Sequence, residues 1–247
     1  MLCLFRIQHF IPHRHRLGFA LDVDKLVAAL RLPLGHPGRP HSALTNAVYL
    51  WGLLLTPADA QAPVGVTGDV REYASKVLNR AVLALSEWSG AIPQKRMHAV
   101  QAEVLIAQYF FFECRYLEGL VHISASVTMA IGCSLHKIRY PSGDPNETVS
   151  VTGEMRHWDP NSPFELPIPR DMGEMRERMD LFRTVLILDK CWSVAVRIAP
   201  CSENTRLDAA WTRSDVPIEV HALANFFKVF ALIKARIIEH QRFSRCI

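Results

Sequence analysis

No two cysteines in this chain are separated by two residues, the spacing that lets one tight turn place two thiolates on a zinc ion. The six cysteines stand at positions 3, 114, 133, 191, 201 and 246. Several fall in apolar stretches of helical period, where a thiol behaves as a small hydrophobe. That spread argues against a disulfide scaffold and fits a reducing compartment, cytosolic or nuclear. A run of five or six basic residues able to track a phosphate backbone is also lacking, although the net charge is +4. The densest basic segment, His13-Arg14-His15-Arg16, is short and partly neutral at pH 7, so it reads as a solvated patch.

Long apolar runs are missing too. The longest, such as residues 104–112, are too short to cross a bilayer. Residues 1–10 are apolar but interrupted by Arg6, Gln8 and His9, and no small-residue cleavage site follows. The expectation is a soluble, intracellular protein without membrane contact. Strand-like alternation of any length is absent, which points to an all-α fold.

The signatures of common enzyme sites are equally scarce. There is no glycine-rich phosphate loop, no Gly-x-Ser-x-Gly elbow, and no histidine pair at metal spacing around a glutamate. The aspartates are scattered rather than clustered for magnesium. Asp180 and Asp189 share a helix but lie two and a half turns apart, too far to share one proton or one water. His13 with His15, and His36 with His41, lie in basic or proline-flanked segments without carboxylate or thiolate neighbours, so they read as surface histidines. The sequence therefore predicts no enzyme: no catalytic, cofactor-binding or metal-binding residue is assigned.

What the chain does have is core material. Hydrophobic residues make up 49% and charged residues 21%, a globular balance. Breaks fall at 33–40, 58–68, 140–169 and 200–217. Between them the 3.6-residue period predicts helices at 22–31, 42–55, 69–88, 94–113, 116–138, 172–196 and 219–240. This is a single helical domain of about seven helices, residues 21–247, preceded by an N-terminal extension, 1–20. Pro93 suits a helical first turn, and Asp171 with Glu174 suits a capping box. Val100, Val104, Ala107 and Phe111 share one face. The 172–196 helix carries two stripes, Met175-Met179-Phe182-Leu186 and Val185-Leu188-Trp192-Val196, so it should be central. The last helix places Leu223, Phe227, Phe230, Ile233 and Ile237 on one face. Small residues interleave the 116–138 helix at Gly119, Ser124, Ala125, Ser126, Ala130 and Gly132. With the helix before it, this one should form a central, close antiparallel pair.

Residues 100–138, VQAEVLIAQYFFFECRYLEGLVHISASVTMAIGCSLHKI, resemble the middle homology region of fungal zinc-cluster transcription factors. In that family an aromatic-rich helix ends in a short turn. A Leu-Glu-Gly-like start then opens a second helix, which closes on a Gly-Leu-His-like ending. Leu117, Glu118, Gly119 and His136 occupy these positions, with Cys133-Ser134 in the glycine region. Residues 175–196, MRERMDLFRTVLILDKCWSVAV, resemble the family's helix ending in Leu-Asp-Arg/Lys, with Asp189, Lys190 and Trp192 in register. Residues 167–171 resemble its proline-rich lead-in, and residues 44–55 its early leucine-rich helix. Arg183 stands where the family usually has tryptophan, and Val196-Arg197-Ile198-Ala199-Pro200 replaces a Gly-Arg-Pro turn.

The resemblance spans roughly residues 20–200. It implies a nuclear regulatory domain acting through the transcription machinery, a homodimer partner or a small-molecule inducer. DNA binding and zinc belong, in such proteins, to a six-cysteine module that this chain does not contain, so no cofactor is expected here. The alternative is a truncated stand-alone helical scaffold that competes for partners and has no transcriptional activity of its own.

Overall fold

The computed structural model describes residues 2–57, 70–88, 92–138 and 164–196. Among these residues the fold is all-α, with seven helices and no strand: α1 (Leu2–Phe10), α2 (Val23–Leu30), α3 (Ser42–Leu55), α4 (Val70–Leu85), α5 (Pro93–Phe112), α6 (Tyr116–Gly132) and α7 (Met172–Val196). Two short 3-10 turns, Ile11–His13 and Leu135–Lys137, follow α1 and α6. The helix expected at 219–240, with its Leu223 to Ile237 stripe, lies outside the described residues.

Local chemistry explains the helix ends. Asp22 caps α2 by accepting from the amides of Asp24 and Lys25 at 2.8 and 3.0 Å. Pro93 occupies the first turn of α5, where its missing N–H would have had no partner. Asp171 accepts from the Glu174 amide at 2.7 Å, as the capping box requires. The reciprocal bond differs from the expectation: Glu174 reaches the amide of Arg170 at 3.1 Å, one residue beyond the cap. The sequence expectation ran the helix beginning at 116 on to 138, but α6 stops at Gly132. Ser134 adopts a left-handed conformation (φ 58°), which ends the helix before the 3-10 turn.

The helix buried on every side is α5. From Ala99 to Phe111 all of its residues are buried, polar and apolar alike, including the expected stripe Val100, Val104, Ala107 and Phe111. The 172–196 helix, read from its two stripes as central, buries both except for the partly exposed Val196, and keeps an outer side with Arg176, Gly173 and Met172 exposed. The width of an apolar arc is thus a weaker guide to the centre than the absence of a polar face. Contacts from Glu103 to His122 and from Phe111 to Gly119 set α6 antiparallel to α5. Meanwhile α3 and α7 run in the same direction as α5. Trp51 donates to the Leu105 carbonyl at 2.9 Å, and Trp192 donates to the Gln108 side chain at 3.2 Å.

Residues 1–20, read as an extension, add Ile7, Phe10, Leu17 and Phe19 to the core. Ile7 and Phe10 are three apart, so one face of α1 meets α3; Arg6 also lies against α3, with its guanidinium over the Tyr73 ring of α4, while Gln8 is exposed. Gly52 of α3 makes this approach possible, because a Cβ there would overlap the Arg6 carbonyl of α1. The rings of Phe10 and Phe19 meet edge-on at 5.2 Å.

Phe10→Ala should therefore lower stability by about 3–5 kcal/mol. Phe5→Ala, on the exposed side of the same helix, should cost less than about 1 kcal/mol. Urea unfolding of both variants checks the pair, and equal effects would deny α1 its place in the core.

Candidate functional site

Two of the residues singled out by the family resemblance, Gly119 and Trp192, meet where α5, α6 and α7 come together. The turn between α5 and α6 is Glu113-Cys114-Arg115, with Cys114 left-handed at φ 60° and the Arg115 amide bonded to the Phe110 carbonyl at 2.8 Å. Gly119 then lies directly against the ring of Phe111, leaving no room for a Cβ. Phe111 in turn stacks on Trp192 of α7 with centroids 3.5 Å apart and planes 16° from parallel. Gln108, one turn before Phe111 on α5, accepts the Trp192 indole N–H. One contact chain, Gly119–Phe111–Trp192–Gln108, thus joins three helices. An aromatic pair of this kind adds about 0.5–1.5 kcal/mol beyond its buried area.

A second chain also joins α5 to α6, about a quarter turn around α5 from Phe111. Glu103 and His122 meet at 2.6 Å (Oε2 to Nδ1), His122 stacks on Phe110 at 5.1 Å, and the Arg115 guanidinium lies 4.6 Å from the Phe110 ring centroid. Arg115 also pairs with Glu118 at 2.8 Å. The Glu118 carboxyl is held below its ordinary range by its own backbone amide and by Arg115. A carboxylate oriented on an imidazole can position a base. Here, however, Phe110 covers the ring, and the nearby Ser126 hydroxyl donates to the Ile123 carbonyl at 2.7 Å. The arrangement serves to lock α5 to α6.

The other signature residues are dispersed. Leu117 is 72% exposed, so its side chain contributes little to the core. Asp189 is 1% exposed, while Lys190 is partly exposed on the next position of α7. Asp180 lies on the opposite, more open side of that helix from Asp189, paired loosely with Arg183 at 4.0 Å. His136 is partly buried in the 3-10 turn after α6, and burial pushes its pKa down. The lead-in to α7 is fastened by charge. Arg178 bonds the Pro167 carbonyl and Glu174, both at 2.6 Å, and Lys137 reaches Glu165 at 3.1 Å. Burial disfavours charge on Glu174, but bonds from the Arg170 amide and from the Arg178 and Arg170 guanidiniums outweigh it and hold its pKa below normal.

Among the described residues no group of three or more His, Cys, Asp or Glu side chains is placed to hold a metal ion, and no helix is long and apolar enough to cross a membrane. Cys133 is buried and its thiol is pushed up to about 11 by that burial, which makes it a poor nucleophile. His36 is exposed, as expected, and its Nδ1 accepts from the Gly38 amide at 3.0 Å. His41 is not a surface histidine: it is buried, with its imidazole capping α3 through the Ala43 amide at 3.2 Å. No family model, curated protein or solved structure matches the chain.

The polar side chains of α5 were not flagged by the sequence. Gln101 accepts from the Ala20 amide at 2.8 Å and donates to the Gly18 carbonyl at 2.9 Å, clasping the segment after α1. Their signal is the presence of Gln101, Glu103 and Gln108 in a helix otherwise too apolar to face water.

One substitution on α6 and one just past its end should act in opposite directions. Gly119→Ala gains about 1 kcal/mol of helix propensity, but its methyl group must displace Phe111, an overpacking cost of about 1–3 kcal/mol. Net destabilisation is expected. Ser134→Gly removes the left-handed penalty and should raise stability by about 1 kcal/mol. Thermal unfolding of both variants tests these signs.

Proposed function

We propose that this chain is the regulatory domain of a fungal transcription factor, a nuclear helical domain that performs no chemistry and controls transcription through other molecules. The observation that carries the reading is the order of motifs in the sequence. An aromatic-rich helix, a short turn, Leu117-Glu118-Gly119, then Leu135-His136, a proline-rich lead-in, and Asp189-Lys190 with Trp192 occur in the family's sequence and spacing. Support also comes from the packing role of part of that set. Gly119 and Trp192 both touch Phe111, so two residues chosen by resemblance, 73 positions apart, belong to one junction. A fold alone does not specify a function; the motif order supplies what the helical architecture does not.

In this reading DNA recognition and zinc belong to a separate six-cysteine module, and the domain described here acts through protein partners, a second copy, or a small inducer. An inducer would act by binding one arrangement of the helices more tightly than another. The second reading is a helical scaffold that competes for the same partners. The open placement of Leu117 and Val121 one turn apart on α6 suits either, because both require an apolar surface outside the core.

The test is to fuse the chain to an unrelated DNA-binding module and measure a reporter carrying that module's site. Output should change several-fold relative to the module alone. Leu117→Asp should leave the unfolding free energy within about 0.5 kcal/mol of the parent and alter the output. Reporter output identical to the bare module would reject the regulatory reading.

A further inference from the structure

The start of α3 is held by two histidines acting in series. The His41 imidazole accepts from the amide of Ala43 through Nδ1, at 3.2 Å. The amide of His41 donates to Nδ1 of His98, on the second turn of α5, at 3.3 Å. His41 is buried and His98 partly so. Both imidazoles therefore work as acceptors at Nδ1 and must carry their single proton on Nε2. A second proton on either ring turns an N–H···N attraction into two facing N–H groups. It also places a cation at the N-terminal, positive end of the α3 dipole. Among the described residues no other side chain caps this terminus, since Ser42 is exposed and the Thr45 hydroxyl donates to the His41 carbonyl.

We propose that His41 and His98 form an acid-sensitive latch that fastens the start of α3 to α5 and releases it when either imidazole takes a proton. Among the described residues, the charged groups that act on the pair are Glu87 and Lys95. Glu87, just past α4, favours a proton on His41, while Lys95 on the first turn of α5 disfavours one on both rings, and His41 disfavours a proton on His98. Burial is the largest influence on each, and it lowers both. The closed latch is fully stable above the unfolded histidine value and weakens as pH falls toward the folded one. A histidine at 6.5 when released and about 4 when latched shifts the opening equilibrium about 30-fold between pH 7.5 and pH 5.

The experiment is amide hydrogen exchange by NMR on the full chain at pH 7.5 and pH 5, corrected for intrinsic exchange rates. Protection at Ala43, Leu44 and Thr45 should fall about 30-fold from His98 alone, while Val127 in the middle of α6 should keep its protection. His98→Gln offers an acceptor that does not titrate, and His41→Asn keeps a good helix cap; each should flatten the pH dependence at Ala43. Undiminished protection at Ala43 at pH 5 overturns the latch. So does an equal loss at Val127, which would mark global unfolding, or a pH dependence unchanged in both variants.

Discussion

A helix with no side open to solvent has to satisfy every polar atom it carries from inside the protein. In this fold that constraint falls on α5, where Gln101, Glu103 and Gln108 are buried along with the aliphatic and aromatic residues around them. Each answers a different neighbour: Gln101 the segment at Gly18 and Ala20, Glu103 the His122 ring of α6, and Gln108 the Trp192 indole of α7. On the remaining side Trp51 of α3 takes the Leu105 carbonyl. Hydrophobic burial supplies most of the stability but is non-directional. The polar pairs supply register, because sliding a neighbour by one residue leaves a buried donor or acceptor unpaired, at about 1–3 kcal/mol each.

The junction at Phe111 shows how packing and polar pairing reinforce each other. Gly119 lets α6 close onto the Phe111 ring, and the ring's other neighbour is Trp192. The indole could rotate on that apolar surface, but its N–H is tied to Gln108 and so the plane is fixed. Gly18, left-handed at φ 73°, performs a related task at the edge of α7, where a Cβ would meet Thr184, Leu188 and Val104. Both glycines mark places where chain segments come closer than any side chain allows.

Much of the architecture was legible in the sequence. The all-α class, the close antiparallel pair of α5 and α6, the proline start of α5 and the Asp171 cap all follow from local rules that tertiary contacts did not override. The misses share a cause, since each depended on a partner far away in the chain. The helical period in residues 2–10 was obscured by Arg6, Gln8 and His9, and only packing against Gly52 reveals which side of α1 matters. His41 looked exposed because it sits among prolines, yet His98, fifty-seven residues on, meets its backbone inside the protein. Gln101 is silent in one dimension for the same reason. Of the residues singled out by resemblance, Gly119 and Trp192 lie at the junction, whereas Leu117 points outward.

The central claim is that each buried polar side chain of α5 holds one particular neighbour. The most direct measurement is site-resolved hydrogen exchange on Gln101→Leu, which keeps the bulk and deletes both bonds. Protection at the Ala20 amide and in the turn before it should fall sharply, with α6 unaffected. Unchanged protection at Ala20 would contradict the central claim, because the Gln101 clasp would then be holding nothing in place.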